Sequence, residues 1–246
     1  MKMLDLFSGI GGISLAADWA GIETAAFCEI EPFNQKVLNK HWPTVPIFSD
    51  IRTLTKKSLE ESGVDVGAIS IVAGGFPCQP YSVAGKQKGK EDDRDLWPEM
   101  FRIIEEIRPT WVVGENVANF ANMELDRTLF NLESIGYQGK SFIIPACSVG
   151  AKHRRDRVFV VAYSDSKHVE GSGCKTVQRE CSLQGELSSR SFTEIRKRSE
   201  VFEPKLCRTF NGIPDQVDRL RSLGNAVVPQ QIYPIFEAIA KIEGLL

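Results

Sequence analysis

The 246-residue sequence contains no stretch approaching the roughly 18 apolar residues that a membrane span requires. Its first residues, Met1-Lys2-Met3-Leu4-Asp5, lack the charged, apolar and small-residue succession of a secretory leader. A cytoplasmic location is therefore expected, nucleoid-associated if the source is a bacterium. Cysteine is sparse and scattered: six residues (28, 78, 147, 174, 181 and 207) form no Cys-x-x-Cys pair, and only three histidines (41, 153 and 168) accompany them. That pattern fits neither a disulfide framework nor zinc-ligand spacing, so reduced thiols and no structural metal are expected. A strong excess of one charge is also missing. The net charge of −2 excludes a generally basic nucleic-acid binder.

What is present is the composition of one ordinary domain, or one domain with a small appendage: 42% hydrophobic and 25% charged residues exclude a disordered or fibrous chain. The charge is unevenly spread. Residues 152 to 208 hold 13 Lys and Arg against 8 Asp and Glu, a net of +5, which leaves 17 against 24 elsewhere, a net of −7. That segment is either a phosphate-facing module or a solvated insertion.

Up to residue 163 short apolar runs alternate with amphipathic stretches. Strands are expected at Met3 to Phe7, Thr24 to Glu29, Ile69 to Ala73 and Trp111 to Gly114, with two further β-rich runs at 137 to 146 and 157 to 163. Helices are expected from Gly11-Gly12 to about Ala20, from Pro32 to Trp42, from Leu96 to Ile107 ahead of Arg108-Pro109, and from about Leu125 to Ser134. This alternation predicts an α/β fold with a doubly wound, mostly parallel sheet. From Ser164 to about Phe210 the pattern dissolves. It returns at Gly212, and Ile232, Ile235, Phe236, Ile239 and Ile242 follow the spacing of a helix packed back on the main domain.

Five constellations carry chemistry. Asp5-Leu6-Phe7-Ser8-Gly9-Ile10-Gly11-Gly12 joins the first strand to the first helix, where glycines let a ligand approach the backbone and the helix start offers free N–H groups. Gly9 and Gly11 fit a dinucleotide fingerprint, but its third glycine falls on Ser14, so a pyrophosphate fits poorly. Glu29-Ile30-Glu31 ends the second strand, where a carboxylate can hold ribose hydroxyls, and Asp50-Ile51 can serve an adenine edge. Gly74-Gly75-Phe76-Pro77-Cys78-Gln79-Pro80-Tyr81-Ser82 places a cysteine on a proline-stiffened loop at the end of a central strand, a poor place for a merely packed thiol. Glu115, at the end of the next strand, should rise from the same sheet edge, unless Glu115-Asn116 only caps a helix. In His153-Arg154-Arg155-Asp156-Arg157, strand alternation puts Arg155 and Arg157 on one face.

Together these segments resemble the cytosine-C5 DNA methyltransferases over residues 3 to about 163 and again from about 212 to 240, the second stretch through Gly224-Asn225-Ala226-Val227-Val228-Pro229-Gln230. The resemblance implies a Rossmann-like catalytic domain that binds S-adenosylmethionine, formed by residues 1–163 and 212–246, with a short target-recognition module at 164–211. It assigns Phe7, Ser8, Gly9, Ile10, Gly11, Gly12, Glu29, Ile30, Asp50, Ile51, Gly75, Pro77, Asn225 and Ala226 to the cofactor. Cys78 is implied as the nucleophile, Glu115 as the group on cytosine N3, and Arg155 and Arg157 as cationic partners, Arg155 favouring the thiolate. Gln79, Ser82, Arg154, Arg179, Arg190, Arg196 and Arg198 are the candidate DNA contacts, and the polar stretch 83–95 a candidate lid.

The chain departs from the family in having His153 where Gln-x-Arg-x-Arg is usual, and in a recognition stretch of only about 50 residues. The expected activity is that of a restriction-modification or phage methyltransferase acting on double-stranded DNA as a monomer, with a cognate endonuclease as a separate partner. A tRNA cytosine methyltransferase and a non-catalytic regulator that binds S-adenosylmethionine or DNA are the alternatives.

Overall fold

A computed structural model describes residues 1–77, 95–122, 124–164 and 216–246. Seven strands form one sheet: β1 (Lys2–Leu6), β2 (Glu23–Cys28), β3 (Ile47–Phe48), β4 (Ile69–Gly74), β5 (Trp111–Val117), β6 (Tyr137–Ile144) and β7 (Arg157–Ser164). Their order is β3-β2-β1-β4-β5-β7-β6. The first five are parallel, and β7 runs antiparallel to both β5 and β6. The doubly wound, mostly parallel sheet expected from the sequence is thus present, and its last two strands form the antiparallel edge.

The helices are α1 (Gly12–Trp19), α2 (Pro32–His41), α3 (Lys56–Glu61), α4 (Trp97–Ile107), α5 (Leu125–Ser134), α6 (Gln216–Asn225) and α7 (Pro229–Ile242). Helix α1 begins after Gly11, whose φ of 85° a residue with a side chain rarely adopts, and stops before Gly21. Its Ile13, Ala16 and Ala17 are buried on one stripe, and Ile232, Phe236, Ile239 and Ala240 of α7 pack into the same core cluster with Met3, Ile71, Ala73 and Val113 of the sheet. This is the return packing that the C-terminal periodicity predicts. On the other sheet face, Trp97, Met100, Ile103 and Ile104 of α4 cover Leu4, Leu6, Val72 and Val112.

Three elements were not expected: the two-residue β3, the six-residue α3 and the helix α6. Helix α3 has too few residues to show a period, and its start is marked instead by a capping box between Thr55 and Ser58. Strand β5 also runs three residues past its apolar core, so that Glu115 and Asn116 belong to the sheet.

Candidate active site

Strands β1, β2, β4 and β5 end at one edge of the sheet, as a parallel arrangement requires. The turn after β1 is built from within. Ser8 donates its hydroxyl to the Asp5 carbonyl at 2.7 Å and accepts the Gly11 amide at its own carbonyl. Phe7, Gly9 and Gly11 all take positive φ (54°, 55° and 85°). The Glu29 carboxylate, buried at the end of β2, accepts the Gly9 amide at 2.6 Å through one oxygen and the Glu31 amide at 2.7 Å through the other. It therefore holds the glycine turn against the strand that precedes Ile30, whose apolar side chain is 62% exposed. Asp50 accepts the Arg52 amide at 3.0 Å, while Ile51 is buried in the core.

Beneath the turn, Asp5 is fully buried. It accepts from the Ser14 hydroxyl at 2.7 Å, which in turn accepts from Thr24 at 2.9 Å. Its other oxygen has no partner. Burial pushes the Asp5 carboxyl up to about 7, helped by the Glu29 charge and opposed by Ser14.

The second cluster lies where β4 and β5 end. Gly74 pairs with Gly114 in register, so the Gly75-Phe76-Pro77 turn stands beside Glu115. A Cβ on Gly75 would sit 2.9 Å from Glu115 Oε2, which explains why glycine occupies that position. Glu115 is a strand residue, not part of a solvated cap: it is 8% exposed and accepts from Arg157 Nε at 2.7 Å through Oε1. The antiparallel register makes this pair. Val117 faces Arg157, so Arg157 is the diagonal neighbour of Glu115 on the same sheet face. Burial pushes the Glu115 carboxyl up, while the Arg157 and Arg155 guanidinium groups pull it down. Asn116 donates to the Phe76 carbonyl at 3.1 Å and fixes the turn from the side. The motif around Glu115 contained Asn116, but its role became visible only through this contact. Phe76 is wedged between Trp97 and Phe120.

Arg155 corrects the sequence reading. It lies before β7, takes a φ of 34°, and does not share the Arg157 face by strand alternation. Its Nη2 instead donates to the carbonyls of Gly224 and Ala226, at 2.6 and 2.9 Å. Arg154 is exposed and paired with Asp156 at 2.8 Å. Between Asn225, whose side chain is exposed, and α7, Val227 presses on the glycine turn: a Cβ on Gly12 would lie 2.5 Å from its carbonyl oxygen. A cavity of about 650 Å³ opens here, with Ile10, Leu15, Trp42, Arg155, Leu223 and Val227 among its walls. Among the described residues no group of three or more His, Cys, Asp or Glu is arranged to hold a metal ion. No helix among them is long and apolar enough to cross a membrane.

Cys78, Gln79 and Ser82, the stretch 83–94, and Arg179, Arg190, Arg196 and Arg198 lie outside the described residues. Of the expected site, the structure brings the glycine turn, Glu29, Gly75, Glu115 and Arg157 to one sheet edge. Arg155 and Ala226 are joined beside it.

Comparison with known proteins bears on this arrangement. The family model described as C-5 cytosine-specific DNA methylase matches residues 1–203. The chain is 34% identical over 180 residues to the Type II methyltransferase M2.BsuMI of Bacillus subtilis (strain 168), covering 69% of this chain and 44% of that protein. It is 29% identical over 241 residues to the Type II methyltransferase M.CviJI of Paramecium bursaria Chlorella virus IL3A, covering 97% and 59%. Among solved structures, a prophage-encoded E. coli protein described as a DNA modification methyltransferase superposes with a TM-score of 0.58 at 25% identity, over 70% of this chain and 49% of that one. The chain spans about half the length of the curated relatives it matches.

Proposed function

From the premise that the chain belongs to the C-5 cytosine-specific DNA methylase family, we propose that it methylates C5 of cytosine in double-stranded DNA, with S-adenosylmethionine as donor and Cys78 as nucleophile. The observation that carries this reading is the buried Glu115–Arg157 pair beside the Gly75-Phe76-Pro77 turn, one residue before Cys78 in the chain.

The described residues fit the cofactor. Gly9 has open space where a Cβ would stand, Ile30 offers an exposed apolar surface to a flat ring, and the Glu29 carboxylate is fixed at its foot. Phe7, Ser8, Gly9, Ile10, Gly11, Gly12, Glu29, Ile30, Asp50 and Ile51 would form one side of its site. Gly75, Pro77, Asn225 and Ala226 would form the other. Ser8 and Ile51 act through the backbone they shape, since the hydroxyl of one and the side chain of the other are turned inward. S-adenosylmethionine supplies, when bound, a methyl group activated on a sulfonium.

Cytosine C5 is too weak a nucleophile to take that methyl unaided. Addition of the Cys78 thiolate to C6 turns the ring into an enamine whose C5 can attack. A protonated Glu115 donating to N3 stabilises the negative charge that builds in the ring during addition, and its burial favours that protonated form. Arg157 orients the carboxyl from the opposite side. After transfer, a base or water takes the C5 proton, the C6–sulfur bond breaks, and Cys78 is freed. The target base must leave the stack to be reached, at a cost that phosphate contacts from Arg154 and from the basic segment 164–211 offset. In this reading that segment is the recognition module, the enzyme works as a monomer in the cytoplasm, and a restriction endonuclease of the same specificity acts separately.

The test is transfer of labelled methyl from S-adenosylmethionine to mixed-sequence duplex DNA and to bulk tRNA, with wild type and Cys78→Ala. Label in DNA that vanishes in the variant is the expected result. Label confined to tRNA would move the activity to RNA, and label in neither would overturn the enzymatic reading.

A further inference from the structure

The sequence reading gives Arg155 to the thiol, but its guanidinium is committed elsewhere. Nη2 bridges the carbonyls of Gly224 and Ala226 across 69 and 71 residues of sequence, and Nε is buried without a partner. The main chain of Arg155 is held as well. Gln231 of α7, fully buried, donates Nε2 to the carbonyls of both Arg155 and Ile144, at 3.0 and 2.7 Å. Residue 155 is thus tied to the 224–231 segment at two points, by its side chain before Val227 and by its carbonyl after it.

Val227 is what this double tie locates. Its carbonyl oxygen would lie 2.5 Å from a Cβ on Gly12, and its Cγ2 would lie 4.0 Å from one on Gly75. It therefore stands between the two glycine turns that the proposed function assigns to the cofactor and to the approach to Cys78. Two residues on, Arg157 holds Glu115. The short stretch 155–157 connects the segment that closes the cofactor side to the acid that works on the base.

We infer that Arg155 and Gln231 form a brace that positions Val227 against the glycine turn, and that Arg155 thereby sets cofactor affinity and does not activate the thiol. This inference rests on the proposed function for its cofactor, but the brace itself does not. Charged hydrogen bonds to carbonyls are among the stronger ones, and in their absence the 224–228 backbone has no other side-chain tie to the start of β7 among the described residues.

Two readouts test it in the full-length chain. Amide hydrogen exchange without cofactor should rise across residues 224–228 in Arg155→Ala and in Gln231→Leu, with Arg155→Lys closer to wild type. Direct titration with S-adenosylmethionine should show affinity about 10-fold weaker in Arg155→Ala, partly restored in Arg155→Lys. The Michaelis constant for cofactor should rise with it while kcat stays near wild type. Unchanged exchange in both Arg155→Ala and Gln231→Leu overturns the brace. Raised exchange with unchanged affinity and reduced kcat overturns the role in cofactor binding and returns Arg155 to the thiol. A wild type that does not bind S-adenosylmethionine overturns the proposed function and with it the cofactor role, while the exchange data still decide the brace. Gln231→Leu replaces a buried amide by a side chain of similar size, so it decides the matter if Arg155→Ala does not fold.

Discussion

At the scale of single residues, two of the buried carboxyls, Asp5 and Glu115, respond to burial in the same direction with different consequences. Asp5 is held up to about 7 by burial, whereas an unfolded chain releases that proton near 4. The folded form therefore binds the proton more tightly. The stability it confers is fully present below pH 4, is lost as pH rises from 4 to about 7, and changes no further above that. Asp5→Asn should keep the acceptor for Ser14 and flatten that slope, which chemical denaturation at pH 4, 5.5, 7 and 8 would reveal. An unaltered slope would mean that Asp5 is not the group responsible. Glu115 is raised in the same direction but, in the proposed function, belongs to the chemistry. Glu115→Gln should lower kcat by about 100-fold or more in single-turnover methyl transfer, with cofactor affinity retained. For the wild type, kcat should fall as pH climbs through the raised value. Glu115 and Arg157 were legible in the sequence because each lies at the end of an apolar run that reads as a buried strand. Arg155 was not, since a positive φ breaks the alternation and its partners lie about seventy residues away.

At the scale of elements, the longer helices were readable because each buries one periodic stripe, as Ile13, Ala16 and Ala17 do in α1 and Met100, Ile103 and Ile104 do in α4, and the central strands because each is a short apolar run buried on both faces. Strand β3 and helix α3 are too short to carry a period, and the polar end of β5 hides its last turn of pairing. The reversal of β7 is a matter of connection, which composition does not encode. The fit of α1 against the segment before α7 leaves no room for a side chain at Gly12. Gly12→Ala would drive a Cβ into a backbone oxygen that has no side chain to swing away. It should cost about 1–3 kcal/mol and weaken S-adenosylmethionine binding, measured by thermal melts with and without the ligand. A melt that rises with ligand as much as in wild type would show that the segment yields without harm. Phe236→Ala should cost about 3–5 kcal/mol through the α1–α7 core, a loss readable from denaturant midpoints.

At the scale of the molecule, an overall charge of −2 coexists with +5 over residues 152–208, so the DNA binding of the proposed function would have to be local. Affinity for duplex DNA should fall steeply with salt, and Arg196→Glu together with Arg198→Glu should flatten the slope of log affinity against log salt by about 1–2. A slope indifferent to both changes would place the phosphate contacts elsewhere. The pairing of α1 with α7 has a consequence for the order of synthesis. The two helices are separated by roughly 200 residues of chain, and translation at about 5–20 residues per second puts ten seconds or more between their appearance on the ribosome. Through that interval the apolar stripe of α1 lacks its cover, and the glycine turn lacks Val227. A nascent chain can thus assemble its central strands early, while in the proposed function its grip on a methyl donor would mature only once residues 229–242 have emerged. In the proposed reading, a chain still short of residues 229–242 would therefore transfer little methyl, because the cover of α1 and the seat of the donor arrive together.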